Sequence, residues 1–470
     1  MKQETRHLIK RIIAWVLIIA MIPGLLIFNQ TGVRYEATTD DNRSIRLAAQ
    51  QLLRDDSYAQ SSRIKRMGAF ARNLLRGKRT FEDYQLAAQI AIAQARYDEA
   101  AVFLEKAIGL FEGSVADEAK LYLQMGYLFV LLGEYEKSLK WLDLGISVTP
   151  YPEAILTRAQ VRLNLGDMDG ALEDVNVYRK RVGDSDDNLL EMVNIYEAAH
   201  DYETAAELWT RILKKNDKIE YLIDRAYCYV ELGRMEEAES DARRYLGLSE
   251  KNHSTVNAML GIGFLRTGNY GKANDYFVEA LNRSDSEPVS LYYYIVMCAY
   301  LTGNHERVVE YGEKLIQKVQ QGQETGMAQY KVEDATGKLE VQMVQMDFSK
   351  LCQMTGSAYI ALGKYARAAE VLTFGIEQNG DSQLIYLRGV CRMAEEKYKE
   401  AIEDYSVALK ANVEVESVLY SRGVCYMETG DYLKAQQDFG RLTEITGNEA
   451  LREEAFRQME IIKERQNAEE

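Results

Sequence analysis

Gly430-Asp431-Tyr432-Leu433-Lys434-Ala435 is one instance of the phrase that decides how this chain folds. A glycine, a large residue two positions on and a small residue three further recur at Gly133 to Ser138, Gly166 to Ala171, Gly233 to Ala238, Gly268 to Ala273 and Gly363 to Ala368. Looser copies centre on Tyr97, Tyr202, His305 and Tyr398. The central positions are 97, 135, 168, 202, 235, 270, 305, 365, 398 and 432, so seven of the nine gaps fall within one residue of 34. A fixed period of that length marks an array in which each unit buries its apolar side only against its neighbours.

Each unit reads as two helices. The first ends at the glycine, which takes the left-handed conformation that stops a helix. A short turn follows, and the second helix opens with acidic residues at its positive end. The small residue of the second helix (Ala100, Ser138, Ala171, Ala205, Ala238, Ala273, Ala368, Ala401, Ala435) lets the pair approach closely, and larger side chains beyond it, such as Phe277, Phe439 and Leu442, fill the space between units. The copies at Tyr97 and His305 depart most, with Arg96 in place of the turn glycine in the first and Val308 for the small residue in the second. Four prolines in 470 residues suit long uninterrupted helices.

With this length and pattern the chain resembles the tetratricopeptide-repeat (TPR) family. The likeness extends to a small residue on the first helix (Gly126, Ala159, Ala226, Gly261, Gly356, Gly389, Gly423), to an aromatic three residues on in several copies (Phe129, Tyr196, Tyr229, Phe264, Tyr359, Tyr426) and to Pro150 closing a unit. Ten copies cover roughly residues 81–447. The resemblance implies an all-α fold, a right-handed superhelix of antiparallel helix pairs whose first helices line a concave face that holds a peptide or helix of another protein. Carried onto that face, the family's concave positions give Tyr127, Tyr227, Tyr293, Tyr386 and Tyr420 among apolar residues such as Leu123, Ile223, Ile262, Met297, Val390 and Val424. A tyrosine-lined apolar groove suits an amphipathic helix or an extended apolar peptide. The alternative is that these tyrosines pack between adjacent first helices.

The expected organisation follows. Residues 1–11 precede an apolar run over 12–28, which reads as an uncleaved signal anchor because Lys2, Arg6, Lys10 and Arg11 stand before it and no Ala-x-Ala triplet follows. The body is then expected outside the cytoplasm on a single-pass anchor. Residues 29–79 form a linker and capping helices. From Arg43 to Arg79 there are ten basic and two acidic side chains, a stretch able to lie on anionic lipid or simply to face water. The whole chain has a net charge of −15, so residues 80–470 alone carry −24, and an acidic body disfavours nucleic acid. Repeats occupy 80–316 and 347–447, and a capping helix fills 448–470. Between the arrays, 317–346 is an insertion whose alternation (Tyr330, Val332, then Leu339, Val341, Met343) around Asp334-Ala335-Thr336-Gly337 reads as a β-hairpin. It is either a partner-binding arm or lid, or a tolerated surface insertion.

No reaction chemistry emerges from the residues. His7, His200, His253 and His305 have no Cys, Asp or Glu partner at metal-ligand spacing, and no glycine-rich phosphate loop stands apart from the repeat turns. Cys228, Cys298, Cys391 and Cys425 share one slot on the first helix of four units, one helix-pair step apart and beyond disulfide reach, and read as small buried hydrophobes. The expectation is a membrane-tethered, non-catalytic scaffold for a protein or peptide partner, with no cofactor and no metal. A glycan-binding envelope protein, for which stacked tyrosines would serve, and an enzyme built on a helical scaffold are the alternatives.

Overall fold

The computed structural model describes residues 80–249, 251–322, 329–332, 339–342 and 346–469. The expected anchor at 12–28 and the basic stretch and capping helices before residue 80 lie outside them. Among the described residues no helix is long and apolar enough to cross a membrane. The chain divides into two compact units, residues 1–217 and 218–470.

Among the described residues the first unit contains four helix pairs: α1 (Phe81–Ala93) with α2 (Tyr97–Ile108), α3 (Val115–Leu132) with α4 (Tyr135–Val148), α5 (Pro152–Asn164) with α6 (Met168–Val182), and α7 (Asp186–Ala198) with α8 (Tyr202–Lys215). In the second, α9 (Glu220–Glu231) pairs with α10 (Met235–Leu248), α11 (His253–Arg266) with α12 (Tyr270–Asn282), and α13 (Val289–Leu301) with α14 (His305–Gln320). After the strands β1 (Gln329–Val332) and β2 (Leu339–Gln342) come α15 (Phe348–Ala361) with α16 (Tyr365–Asn379), α17 (Ser382–Ala394) with α18 (Tyr398–Lys410), α19 (Val415–Glu428) with α20 (Tyr432–Ile445), and the closing helix α21 (Glu449–Glu469). This is the all-α solenoid architecture the 34-residue period implies. β1 and β2 pair antiparallel, Tyr330 opposite Val341 and Val332 opposite Leu339, and the residues joining them lie outside the described set.

The turn inside each pair is set by one left-handed residue. Seven are glycines (Gly133, Gly166, Gly233, Gly268, Gly303, Gly363, Gly430) with φ between 68° and 79°. The other three are Ala95, His200 and Glu396, at φ 57°, 62° and 60°. The departure expected at Arg96 therefore falls one residue earlier: Ala95 takes the left-handed place and Arg96, at φ −96°, precedes the second helix. Backbone bonds then close the first helix; the Asp431 N–H donates to the Tyr426 carbonyl at 2.9 Å and that of Gly430 to Met427 at 3.1 Å. The residue after the turn caps the second helix wherever it is Asp or Asn: Asp167, Asp201, Asn269, Asn304 and Asp431 each accept from a backbone N–H three residues on.

Within a pair, two contacts of constant spacing fix the crossing. The small residue of the second helix comes twelve after that of the first, as in Gly126 and Ser138, where the Ser138 hydroxyl donates to the Gly126 carbonyl at 2.8 Å. Sixteen after the first-helix glycine stands a large side chain. A Cβ added to Gly126, Gly261, Gly356, Gly389 or Gly423 would lie 2.6–2.9 Å from Leu142, Phe277, Leu372, Tyr405 or Phe439 respectively. The aromatic three residues beyond the glycine is covered by a cation of the second helix: Lys137 over Phe129, Lys272 over Phe264 and Lys434 over Tyr426, at 5.5, 4.8 and 5.3 Å.

One device escaped the sequence reading. In four units an arginine directly precedes the small first-helix residue and forks onto an aspartate sixteen residues later: Arg158–Asp174 (2.9 and 2.7 Å), Arg225–Asp241 (2.7 and 2.7 Å), Arg388–Asp404 (3.0 and 2.7 Å) and Arg422–Asp438 (2.8 and 2.7 Å). Three of these arginines also reach back to the preceding second helix: Arg158 to Asp143 (2.6 Å), Arg388 to Thr373 (3.3 Å) and Arg422 to Ser406 (3.0 Å). One guanidinium thus ties three consecutive helices, and its rigid fork suits that role better than a lysine would. Elsewhere the same two slots hold uncharged side chains, such as Met125 with Trp141, Ile295 with Tyr311 or Thr355 with Val371.

Successive first helices approach one another more closely than second helices do: α3 with α5 and α5 with α7 in the first unit, and α9 with α11, α13 with α15, α15 with α17 and α17 with α19 in the second. Within each unit the first helices therefore line the inner side.

Two measurements check these inferences. Gly430→Ala meets no neighbour and is expected to lower stability by about 1 kcal/mol through its left-handed φ alone, whereas Glu396→Gly should raise it by about 0.5 kcal/mol; denaturant midpoints moving the other way would refute the turn assignment. Asp438→Ala strands a guanidinium and should cost about 3–5 kcal/mol, while Arg422→Met with Asp438→Leu, imitating the apolar units, should recover most of it. Equal losses in the single and double variants would show that the pair is not the clasp described.

Candidate peptide-binding surface

The inward side chains come from the first helices. At four of the five family positions the tyrosine hydroxyl lies toward the next first helix or the closing helix. The Tyr127 hydroxyl on α3 lies toward Thr157 on α5, that of Tyr293 on α13 toward the backbone of Asp347 at the start of α15, and that of Tyr386 on α17 toward Ser417 on α19. Tyr420 on α19 donates to Glu454 on α21 at 3.3 Å. Burial raises the hydroxyl pKa of Tyr127, Tyr293 and Tyr386, so these groups stay neutral.

Exposure separates the five. Tyr127 and Tyr293 are only 6% and 5% exposed and present almost no surface to a ligand. Tyr227, Tyr386 and Tyr420 are half-buried and keep part of a ring accessible. Behind the rings lie Tyr405 and Phe439, with centroids 6.3 Å from Tyr386 and 5.9 Å from Tyr420. Packing between neighbouring helices thus goes together with partial exposure of the ring at Tyr227, Tyr386 and Tyr420. Beside them in the second unit Ile360, Val390 and Val424 are half-buried, and Gln353, Ser357, Gln383, Ser417 and the exposed Lys350 stand at equivalent positions. Of the charged side chains on these helices, Arg388, Arg392 and Arg422 are paired with Asp404 or Asp438.

The titratable groups do not gather into a reaction centre among the described residues. No group of three or more His, Cys, Asp or Glu side chains there is placed to hold a metal. His200 pairs with Tyr202 at 2.7 Å in a turn, and His253 starts α11. All five cysteines are free and buried, and burial pushes the thiols of Cys298, Cys352, Cys391 and Cys425 up to about 12. Thiol reagents should accordingly leave the folded protein unlabelled at pH 8 and modify it only as it unfolds in denaturant. Labelling of the native chain within minutes would contradict the burial described.

Two tetratricopeptide-repeat family profiles match the chain, one at residues 190–253 and 354–415 and the other at 84–113 and 416–449. Tetratricopeptide repeat protein 16 of Mus musculus is 28% identical over 205 residues, covering 39% of this chain and 26% of that protein; the similarity thus spans about a quarter of the relative. Among solved structures, the TPR protein YrrB, described as having an unusual peptide-binding site, is 16% identical, with 46% of this chain and 97% of that one aligned at a TM-score of 0.36. The C-terminal part of a TPR repeat-containing protein from Cytophaga hutchinsonii is 18% identical, with 55% and 96% aligned at a TM-score of 0.39. Family profile and helix-pair geometry agree segment by segment: the chain carries tetratricopeptide repeats.

Proposed function

We propose that this protein is a non-catalytic scaffold that holds a segment of a partner protein against the inward face of its second unit. The observation that carries the reading is the row of half-buried, uncharged side chains from α15 to α19, notably Ile360, Tyr386, Val390, Tyr420 and Val424. Such a row offers apolar contact with a few hydrogen-bonding groups, which suits an amphipathic helix or an extended apolar segment and gives a strongly acidic peptide no counter-charge. The apolar run at 12–28, led by four cations, supports a membrane tether with the body outside the cytoplasm, and the basic stretch at 43–79 supports contact with anionic lipid beside it.

Photocrosslinking residues placed at Val390 and Val424 should yield adducts to one polypeptide segment in solubilised membranes, and residues placed at Lys399 and Arg441 on second helices should not. Ser357→Arg, which puts a charge into the row, is expected to weaken capture by at least about tenfold at unchanged helix content. Equal adduct yields from both helix sets would remove the groove from consideration. Protease added to intact cells should degrade the body if it faces outward.

A further inference from the structure

The first unit carries a cluster of exposed aliphatic side chains at one edge. Leu110 lies in the loop after α2, Val115 opens α3, and Leu144 and Val148 stand one turn apart at the end of α4; they are 47%, 64%, 50% and 41% exposed. Antiparallel pairing brings them together. A Cβ on Gly145 would lie 3.0 Å from the Ala119 carbonyl, so the last turn of α4 runs beside the first turn of α3 and Val148 comes level with Val115. Trp141, one turn before Leu144, packs on the same core cluster as Phe111, the neighbour of Leu110. Among the described residues of the first unit, Val102 is the one further large hydrophobic side chain so exposed. Four aliphatic side chains gathered in this way mark a contact surface, where single exposed ones would need no explanation.

What covers them is indicated by where the preceding chain joins. The ring of Phe81, the first residue of α1, lies 5.1 Å from that of Phe111. Arg79, the last cation of the basic stretch, is two residues before Phe81, so covalent reach keeps its backbone within about 7 Å of that point. The ten cations of 43–79 thus end at the edge where the aliphatic cluster is exposed. We infer that this edge of the first unit rests on the bilayer, with Leu110, Val115, Leu144 and Val148 entering the interfacial region of the lipid. This depends on the reading of residues 12–28 as a membrane tether. Glu112 and Asp117 stand beside the cluster and give it no attraction to anionic headgroups, so its own contact is apolar and the electrostatic part belongs to 43–79. Four aliphatic side chains are too few to bind a membrane alone. On a tethered chain the lipid is already at high effective concentration, and the same side chains suffice to orient the unit.

The buried native thiols allow a direct test, since an introduced cysteine alone takes an NBD label. The full chain carrying Val115→Cys or Val148→Cys is reconstituted in phosphatidylcholine vesicles with and without doxyl-labelled lipid. Glu136→Cys, exposed at the opposite end of α4 and about 18 Å from Val148, is the reference. Doxyl lipid is expected to quench the labels at 115 and 148 about fivefold more than the label at 136, and Leu110→Glu with Leu144→Glu should remove the quenching at 115 at unchanged helix content. Flotation of the same chain with the vesicles reports the tether separately. A chain that floats with all three labels equally unquenched overturns the edge contact and leaves the tether standing. A chain that does not float overturns the tether, and the edge contact with it. Blue-shifted emission at 115 that doxyl lipid leaves unquenched shows that protein, a second copy or the residues before 80, covers the edge, and this also overturns the inference.

Discussion

Close approach of the two helices in each pair is the constraint on which the rest of this protein depends. At Gly423 a single methyl group would collide with the Phe439 ring at 2.9 Å, and the same holds for Gly389 against Tyr405 and Gly126 against Leu142. Interiors packed to crystal-like density do not absorb such an intrusion without moving a helix. The spacing of twelve residues between the small positions and sixteen from small to large is therefore a rigid gauge, repeated because each pair has to present the same surface to the next. The ninth and tenth units satisfy it with Gly and a ring, and the His305 unit with Val296 and Val308, both fully buried.

Polar chemistry inside the array is subordinate to that gauge. The Arg–Asp forks occupy slots that other units fill with uncharged pairs, so the array as such does not require them. Their fork geometry nevertheless specifies which helices meet, since Arg388 and Arg422 each hold a carboxylate in front and a hydroxyl behind. A pair of this kind adds little net stability over a hydrophobic pair of similar volume but penalises any misregistered stacking, in which its charges would be buried apart. In a repeat protein, whose units resemble one another enough to stack out of order, such a penalty has a structural use.

The tyrosines of the inner face show how one side chain serves both packing and surface. A phenol carries a large apolar ring and a terminal hydroxyl. With the hydroxyl anchored on the next first helix, the ring is held at a fixed angle and loses little freedom when a ligand covers it, the condition under which an aromatic contributes most to binding. Tyr386 and Tyr420 keep part of the ring exposed. Tyr127 and Tyr293 have gone further into the interior and act as tethers alone.

The repeat, the number of helix pairs, the turn glycines and the crossing residues were all legible in the sequence, because each is fixed by contacts between residues twelve to sixteen apart within a 34-residue unit. Local geometry leaves few ways to satisfy Gly-x-Tyr-x-x-Ala. Left-handed Ala95, His200 and Glu396 were not legible as such; the neighbouring helices impose that conformation on residues that do not prefer it. The Arg-to-Asp spacing was present in the letters at positions 158 and 174, 225 and 241, 388 and 404, and 422 and 438, but a charge on a helix reads as solvated until a partner helix buries it. Which tyrosines remain on the surface was decided only by tertiary structure, since it depends on residues thirty or more positions apart and on the interval between first helices, quantities that no single unit contains.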